Sequence, residues 1–95
     1  MKPIKLPLKN FSGTIATNAV AQDVYTAAQA PQHMLLFQNV SDTDMTIEFD
    51  GPAVVDKGIL VKAGLAYQNP PNVIFSGRLS VICATAGKKF VCKTC

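Results

Sequence analysis

The chain has 95 residues and a mass of 10.1 kDa, which is enough for one domain and not for two. Apolar residues make up 48% and charged residues 16% of it, the reverse of the composition of a disordered tail. The formal charge of +3 is small beside the dense basic face of a nucleic-acid-binding protein. No apolar run is long enough for a transmembrane helix or a signal peptide. We therefore expect a folded domain whose partners are neither nucleic acid nor membrane.

The first twelve residues are predicted to form an extended basic arm, followed by a single β domain over residues 13–95. Pro3 and Pro7 fix their own backbone φ and disfavour a helix here. Lysines on such an arm could reach an acidic neighbour, and the alternative is an ordinary solvated terminus. The residues predicted for such a contact are Lys2, Lys5, Lys9 and Phe11.

Residues 14–30 fit both a helix and a strand. The alanines at 27 and 28 favour a helical face, whereas the alternation of Val20, Gln22, Val24 and Thr26 fits a strand. Because the rest of the chain reads as β-structure, we predict a strand in this segment.

From Pro31 onward, short alternating runs are separated by turn residues. The predicted strands are His33–Val40, Met45–Phe49, Gly58–Val61, Leu65–Gln68, Arg78–Thr85 and Phe90–Cys95. Six to eight short strands without a clear helix predict an all-β fold, a small antiparallel β-sandwich or a jelly-roll-like barrel.

Enzymatic chemistry is not indicated. The single histidine, His33, lies among apolar residues and is expected to pack in the core or at an interface, with no serine or cysteine motif beside it. The crowded acidic residues lack the spacing of a calcium-binding loop and read as a polar turn and a solvent-facing strand. We expect no enzyme, no cofactor and no metal, although a zinc site built from His33, Cys83, Cys92 and Cys95 is an open alternative.

The cysteines favour a different chemistry. If Gly87-Lys88 is the two-residue loop of a hairpin, Cys83 faces Cys92 in a non-hydrogen-bonded pair with Cα atoms about 4.5 Å apart. That distance suits an intrachain disulfide, and the alternative is that both thiols stay reduced in a different register. Cys95 is then left over and is predicted to bridge to another subunit.

The runs Leu35 to Ile47, Asp50-Gly51, Gly58-Ile59, Ala63-Gly64 and Leu79 to Phe90 resemble the small structural proteins of tailed-bacteriophage particles. The resemblance covers about three-fifths of the chain, from Met34 to Val91, and leaves the N-terminal third uncovered. It implies a β-sandwich that coats or joins parts of a virion and has no catalytic residues.

The expected function is therefore that of a virion structural protein, with capsid decoration or cement ahead of a neck, collar or tail component. Its expected partners are the major capsid protein or other virion proteins and further copies of itself. Assembly in the reducing host cytoplasm would delay disulfides until lysis. A stand-alone binding module is the second expectation, weakened by the absence of Trp and the presence of only two Tyr. A small zinc domain is the third.

Overall fold

A computed structural model describes residues 5–95, so Lys2 and the first residues of the predicted arm lie outside the described range. The described strands are β1 Lys9–Asn10, β2 Gly13–Thr14, β3 Gln22–Tyr25, β4 Leu35–Asn39, β5 Met45–Phe49, β6 Ile59–Val61, β7 Ala66–Gln68, β8 Leu79–Cys83 and β9 Lys89–Thr94. A 3₁₀ turn spans Ala27–Gln29.

The strands form two antiparallel sheets. Sheet A has the order β1-β9-β4-β7, with β2 also pairing with β9, and sheet B has the order β3-β8-β5-β6. Consecutive strands share a sheet only from β1 to β2 and from β5 to β6, and every other connection crosses from one sheet to the other. This strand order is that of a jelly roll, in which two Greek keys interlock as a sandwich. The predicted all-β fold is confirmed, and of the two predicted architectures it is the small antiparallel β-sandwich.

The core lies between the two sheets and follows the alternation of each strand. In β4, for example, Leu35, Phe37 and Asn39 are buried, whereas Gln38 is exposed. The rings of Phe37 and Phe90 stack with centroids 5.3 Å apart. The buried apolar residues of the cluster are Ile15, Tyr25, Leu35, Phe37, Met45, Ile47, Val61, Leu79, Val81, Cys83, Phe90 and Cys92.

The ambiguous segment 14–30 contains both kinds of structure. The strand prediction is confirmed for Gln22–Tyr25, which pairs with β8. The alanines that favoured a helix form the single 3₁₀ turn, in which the side chain of Gln29 accepts a 2.9 Å hydrogen bond from the backbone N–H of Thr26. A longer helix has no room here, because Pro31 follows within two residues and β3 precedes it.

The predicted hairpin between the last two strands is wrong. Both edges of β8 are occupied, by β3 and β5, and both edges of β9 are occupied, by β4 and by β1 with β2. The two strands therefore lie in facing sheets. Gly87, with φ +83°, provides the predicted turn chemistry, but its turn joins the sheets instead of pairing adjacent strands.

The second half of the predicted arm is part of sheet A. Lys9 lies opposite Thr94, and Gly13 lies opposite Phe90 in the same register. Between these two residue pairs the backbone hydrogen bonding with β9 is irregular, because the backbone N–H of Cys92 donates to the Ser12 hydroxyl at 3.0 Å. Residues 9–12 are thus held along β9, which leaves residues 5–8 as the described part of the extended arm.

Two Asn-x-Ser sequences form the same turn in different surroundings. In each, the asparagine Oδ1 accepts the backbone N–H of the serine at 3.0 Å and its hydroxyl at 2.6 Å, for Asn10 with Ser12 and for Asn39 with Ser41. Asn10 is exposed, whereas Asn39 is fully buried. The Nδ2 of Asn39 also donates to the carbonyl oxygens of Thr43 at 2.8 Å and Val61 at 3.0 Å. Asn39 therefore ties β4, the turn after it, and β6 together.

Candidate functional site

The described part of the arm presents apolar and basic side chains to solvent. Lys5 and Lys9 are exposed, and Leu6 and Leu8 are 43% and 59% exposed. Exposed leucines beside cations are typical of a contact surface. Phe11, in contrast, packs inside its own chain, with its ring 5.5 Å from that of Tyr25. The structure thus places Lys5 and Lys9 on a free surface and assigns Phe11 to the edge of the core.

The cysteines do not lie as the hairpin register required. Cys83 lies opposite Met45 in sheet B, and Cys92 lies opposite Phe37 in sheet A. All three cysteines are free. Burial raises the pKa of the Cys92 thiol to about 12, which disfavours the reactive thiolate. The predicted intrachain pairing of Cys83 with Cys92 therefore has no support in the structure.

Cys95 lies at the end of the sandwich where β9 stops. Its carbonyl oxygen accepts three consecutive backbone N–H groups, from residues 32, 33 and 34, at 3.2, 2.9 and 3.1 Å. A cleft of about 290 Å³, the end cleft, opens here and is lined by Cys95 together with Leu6, Lys9, His33 and Thr94, among others. Cys95 is half-buried. A bridge from Cys95 to another subunit would form at this end of the molecule.

His33 is exposed in the bend before β4. Of the two predicted roles, packing in the core is therefore wrong, and packing at an interface stays a prediction. His33 contributes a backbone N–H to Cys95 and lines the end cleft. Among residues 5–95, no group of three or more His, Cys, Asp or Glu side chains is placed to hold a metal ion. In the same range, no helix has the length and apolar character needed to cross a membrane.

A second concave surface, the outer groove, lies on the solvent side of sheet B. Leu60, Thr46 and Ile82 form one cross-strand row, and Val55 from the preceding loop joins them. The groove has a volume of about 560 Å³. Its lining also contains the carboxylates of Asp42, Asp44 and Asp56.

The carboxylates of the outer groove differ in their partners. Asp42 forms an ion pair with Lys88 at 2.7 Å, and hydrogen bonding to that ammonium lowers the pKa of the Asp42 carboxyl. Asp44 accepts only the backbone N–H of Ala63 among described groups, at 2.9 Å. Asp56 has φ +67° and is exposed. The groove thus combines an apolar floor with an acidic rim that is only partly neutralised.

The outer groove was not predicted from the sequence, although two residues of β6 and β8 signal it. In a half-buried strand, apolar residues alternate with polar ones. Ile59-Leu60-Val61 is apolar at all three positions, and Ile82 interrupts the alternation between Val81 and Cys83. The two residues that break the pattern, Leu60 and Ile82, lie in the groove.

A third feature is a group of aromatic rings at the open side of the sandwich, the aromatic edge. Phe49 lies 6.1 Å from Tyr67 and 5.0 Å from Phe75 between ring centroids. Phe75 is 41% exposed, and burial raises the pKa of Tyr67. The aromatic edge thus presents one ring to solvent on two supporting rings.

The comparisons with known proteins bear on the fold. No protein-family model and no curated protein matches the sequence. A crystal structure of PirA is similar, with a TM-score of 0.55 and 19% sequence identity, over 90% of this chain and 91% of that chain. At this identity the likeness shows a shared fold.

Proposed function

We propose that this chain is a non-enzymatic structural protein of a bacteriophage virion, most simply a decoration or cement protein of the capsid. The observation that carries the proposal is the exposed arm surface, where Leu6 and Leu8 lie between Lys5 and Lys9 outside the core of the sandwich. Apolar side chains left in water at the rim of a small domain favour contact with another protein. Jelly rolls recur in viral capsid domains, which supports the proposal by analogy of fold.

A cement protein needs a rigid body and contacts that span neighbouring subunits. The sandwich supplies the body, since residues 9–14 are paired with β9 and hold the base of the arm in place. The arm and Cys95 lie at the same end of the molecule, since both line the end cleft. Contacts made by the arm and a disulfide through Cys95 would therefore both form at this end of the molecule.

The decisive measurement is the copy number of this chain relative to the major shell protein in purified particles, by quantitative mass spectrometry. A ratio comparable to that of the shell protein is expected for decoration. A ratio of a few per cent would instead favour the alternative, a ring at the neck, collar or tail. Absence from the particles would overturn the structural role.

The predicted bridge through Cys95 is tested on the same particles. Non-reducing electrophoresis is expected to show dimers or ladders that contain this chain and that collapse with reductant. Particles that carry Cys95→Ser are the matched control, because the buried thiols remain. Monomer alone in the wild-type lane would contradict the bridge.

A stand-alone binding module is the second candidate, and the aromatic edge favours it. An exposed ring such as Phe75 can stack on the face of a sugar or an apolar ligand, although the chain has no Trp. Jelly rolls also occur as lectin domains. Binding to a glycan array that is lost in Phe75→Ala and kept in Phe11→Leu would support this candidate.

A further inference from the structure

The arm and the lining of the outer groove carry charged side chains of opposite sign. Lys5 lies on the arm and Lys9 at its base, in β1, and Lys2 precedes them in the sequence. The outer groove holds three of the six acidic side chains of the chain, Asp42, Asp44 and Asp56. The two surfaces are therefore complementary in charge.

The arm and the outer groove lie at opposite ends and on opposite sheets. In sheet A, β4 begins at Leu35 beside Thr94 and ends at Asn39 beside Phe90. The arm joins the first end, where Lys9 lies opposite Thr94. The groove lies on sheet B and is lined by residues of the turn after Asn39. The arm of one chain, as described, is therefore remote from its own groove.

The two surfaces also match in the placement of apolar groups. In an extended segment, side chains alternate between two faces. Leu6 and Leu8 then share one face, and the lysines on either side of them share the other. The groove has the corresponding parts, with Val55, Leu60 and Ile82 on its floor and carboxylates on its rim. Leu60 is 53% exposed, so its side chain is open to a partner.

We propose that residues 5–9 of one copy bind in the outer groove of a second copy. Leu6 and Leu8 cover the apolar floor, while the two lysines meet Asp44 and Asp56, the rim carboxylates without an ion-pair partner among the described residues. The proposal rests on the proposed function, because it names the contact through which copies join each other in an assembly. Since the contact joins two different surfaces, its repetition produces a ring or an open chain.

The first test is sedimentation velocity of the purified full-length chain in reductant, which removes disulfides through Cys95. Association that grows with protein concentration and weakens with added salt is expected, because the rim contacts are exposed ion pairs. A chain that remains monomeric at every concentration in low salt would overturn the proposal.

Paired variants then locate the contact on the groove. Leu60→Lys places a cation on the groove floor, and Leu65→Lys makes the same change at a position that is 57% exposed elsewhere. Asp56→Asn removes a rim charge, and Asp50→Asn makes the same change at another exposed aspartate with positive φ. We expect Leu60→Lys to weaken association at least about tenfold, the loss that follows from removing one apolar contact. Equal loss in a groove variant and its control would contradict the proposal.

A mixing experiment separates this contact from general effects of charge. The arm variant carries both Lys5→Glu and Lys9→Glu, which removes the arm cations. Its control carries both Lys89→Glu and Lys93→Glu, which gives the same net charge with an intact arm. The arm variant still has a groove, and Leu60→Lys still has an arm. We expect neither to associate alone and the mixture to form one-to-one pairs. A mixture that stays monomeric would refute the arrangement, provided that circular dichroism shows both variants folded.

Failure of this inference is distinguishable from failure of the proposed function. Copy number in particles tests whether the chain is a virion component and does not depend on self-association. Sedimentation of the purified chain tests the contact and needs no particle. A chain abundant in particles but monomeric in solution would reject the arm contact alone.

Discussion

Replacement of Asn39 by aspartate isolates the contribution of two buried hydrogen bonds to stability. The change keeps the shape of the side chain and the oxygen that accepts from Ser41. It replaces Nδ2 with an oxygen that faces the carbonyl oxygens of Thr43 and Val61. A buried carbonyl left without its donor costs about 1–3 kcal/mol. The Thr43 carbonyl keeps a second donor, the Ser41 hydroxyl at 3.0 Å, so the Val61 carbonyl carries most of the loss. Asn39→Asp should therefore lower the free energy of unfolding by at least about 1–3 kcal/mol, against the roughly 5–15 kcal/mol typical of a small domain.

The loss should depend on pH in a known direction. Burial and the two facing carbonyls raise the pKa of the new carboxyl in the folded state. The unfolded carboxyl ionises near its ordinary pKa of about 3.9, whereas the folded one ionises only at higher pH. The stability of Asn39→Asp therefore falls as the pH rises from the unfolded-state pKa to the folded-state pKa of this carboxyl. The total fall is about 1.4 kcal/mol for each unit by which folding raises the pKa. Below the unfolded pKa both states are protonated, so the deficit there is smallest.

Asn10→Asp is the matched control, since Asn10 makes the same turn with Ser12 but is exposed. Its stability should change by less than about 0.5 kcal/mol. The assay is urea unfolding of both variants at neutral and at mildly acidic pH. Equal urea midpoints for the two variants at neutral pH would refute the role assigned to the Nδ2 donors. A deficit of Asn39→Asp that is the same at both pH values would refute the buried ionisation.

Three further predictions concern thiols, an ion pair and glycines. In the native state only Cys95 should react with a maleimide, because the other thiols are at most 2% exposed; two labels by mass spectrometry without denaturant would contradict this. Lys88→Met should raise the lowered pKa of Asp42 toward its ordinary value in an NMR titration. In the wild-type chain, the stability that the Asp42–Lys88 pair adds is present at neutral pH and is lost as the pH falls through the lowered pKa. Gly77→Ala should lower the thermal midpoint more than Gly64→Ala. Both glycines have positive φ, but only at Gly77 would an added Cβ lie 2.6 Å from a neighbouring carboxylate oxygen. Such an overlap costs about 1–3 kcal/mol.

Local sequence patterns predicted the strands well where one face of the strand is buried and the other is not, as in β4 and β9. The alternation of Met45, Ile47 and Phe49 with polar residues predicted the bounds of β5, although Thr46 is buried as well. The same patterns do not determine which strands pair. Residues on β8 alternate in the same way whether β9 lies beside it or across the core from it. The pairing partners of β8 and β9 are set by tertiary contacts, so the sequence pattern could not predict the jelly-roll strand order. For the same reason it could not predict that Cys83 and Cys92 are separated.

Parts of the candidate surfaces were similarly hidden from the sequence. The basic arm was identified from Lys5 and Lys9, because charge and proline are local features. Phe11 was assigned to an interface because its partner, Tyr25, is fourteen residues away in sequence (25 − 11) and is brought to it only by the stacking of the two sheets. The outer groove depends on a loop folding onto sheet B, where the backbone N–H of Ala53 donates to Ser80 at 2.9 Å. A contact of that kind has no periodic signal.

The two contacts proposed between copies have different symmetries, and this difference makes them useful together. The arm and the outer groove are different surfaces at opposite ends, so their contact runs head to tail. Cys95 lies at the arm end, and a bridge between two Cys95 residues joins like surfaces and is therefore two-fold. Copies that are neighbours in a head-to-tail assembly have their Cys95 residues a full molecule apart. A Cys95 bridge must therefore link copies that belong to different assemblies, either open rows of copies or rings. Oxidation would then crosslink assemblies already built by the arm contact, and Cys95→Ser should abolish the covalent ladders while leaving self-association in reductant unchanged.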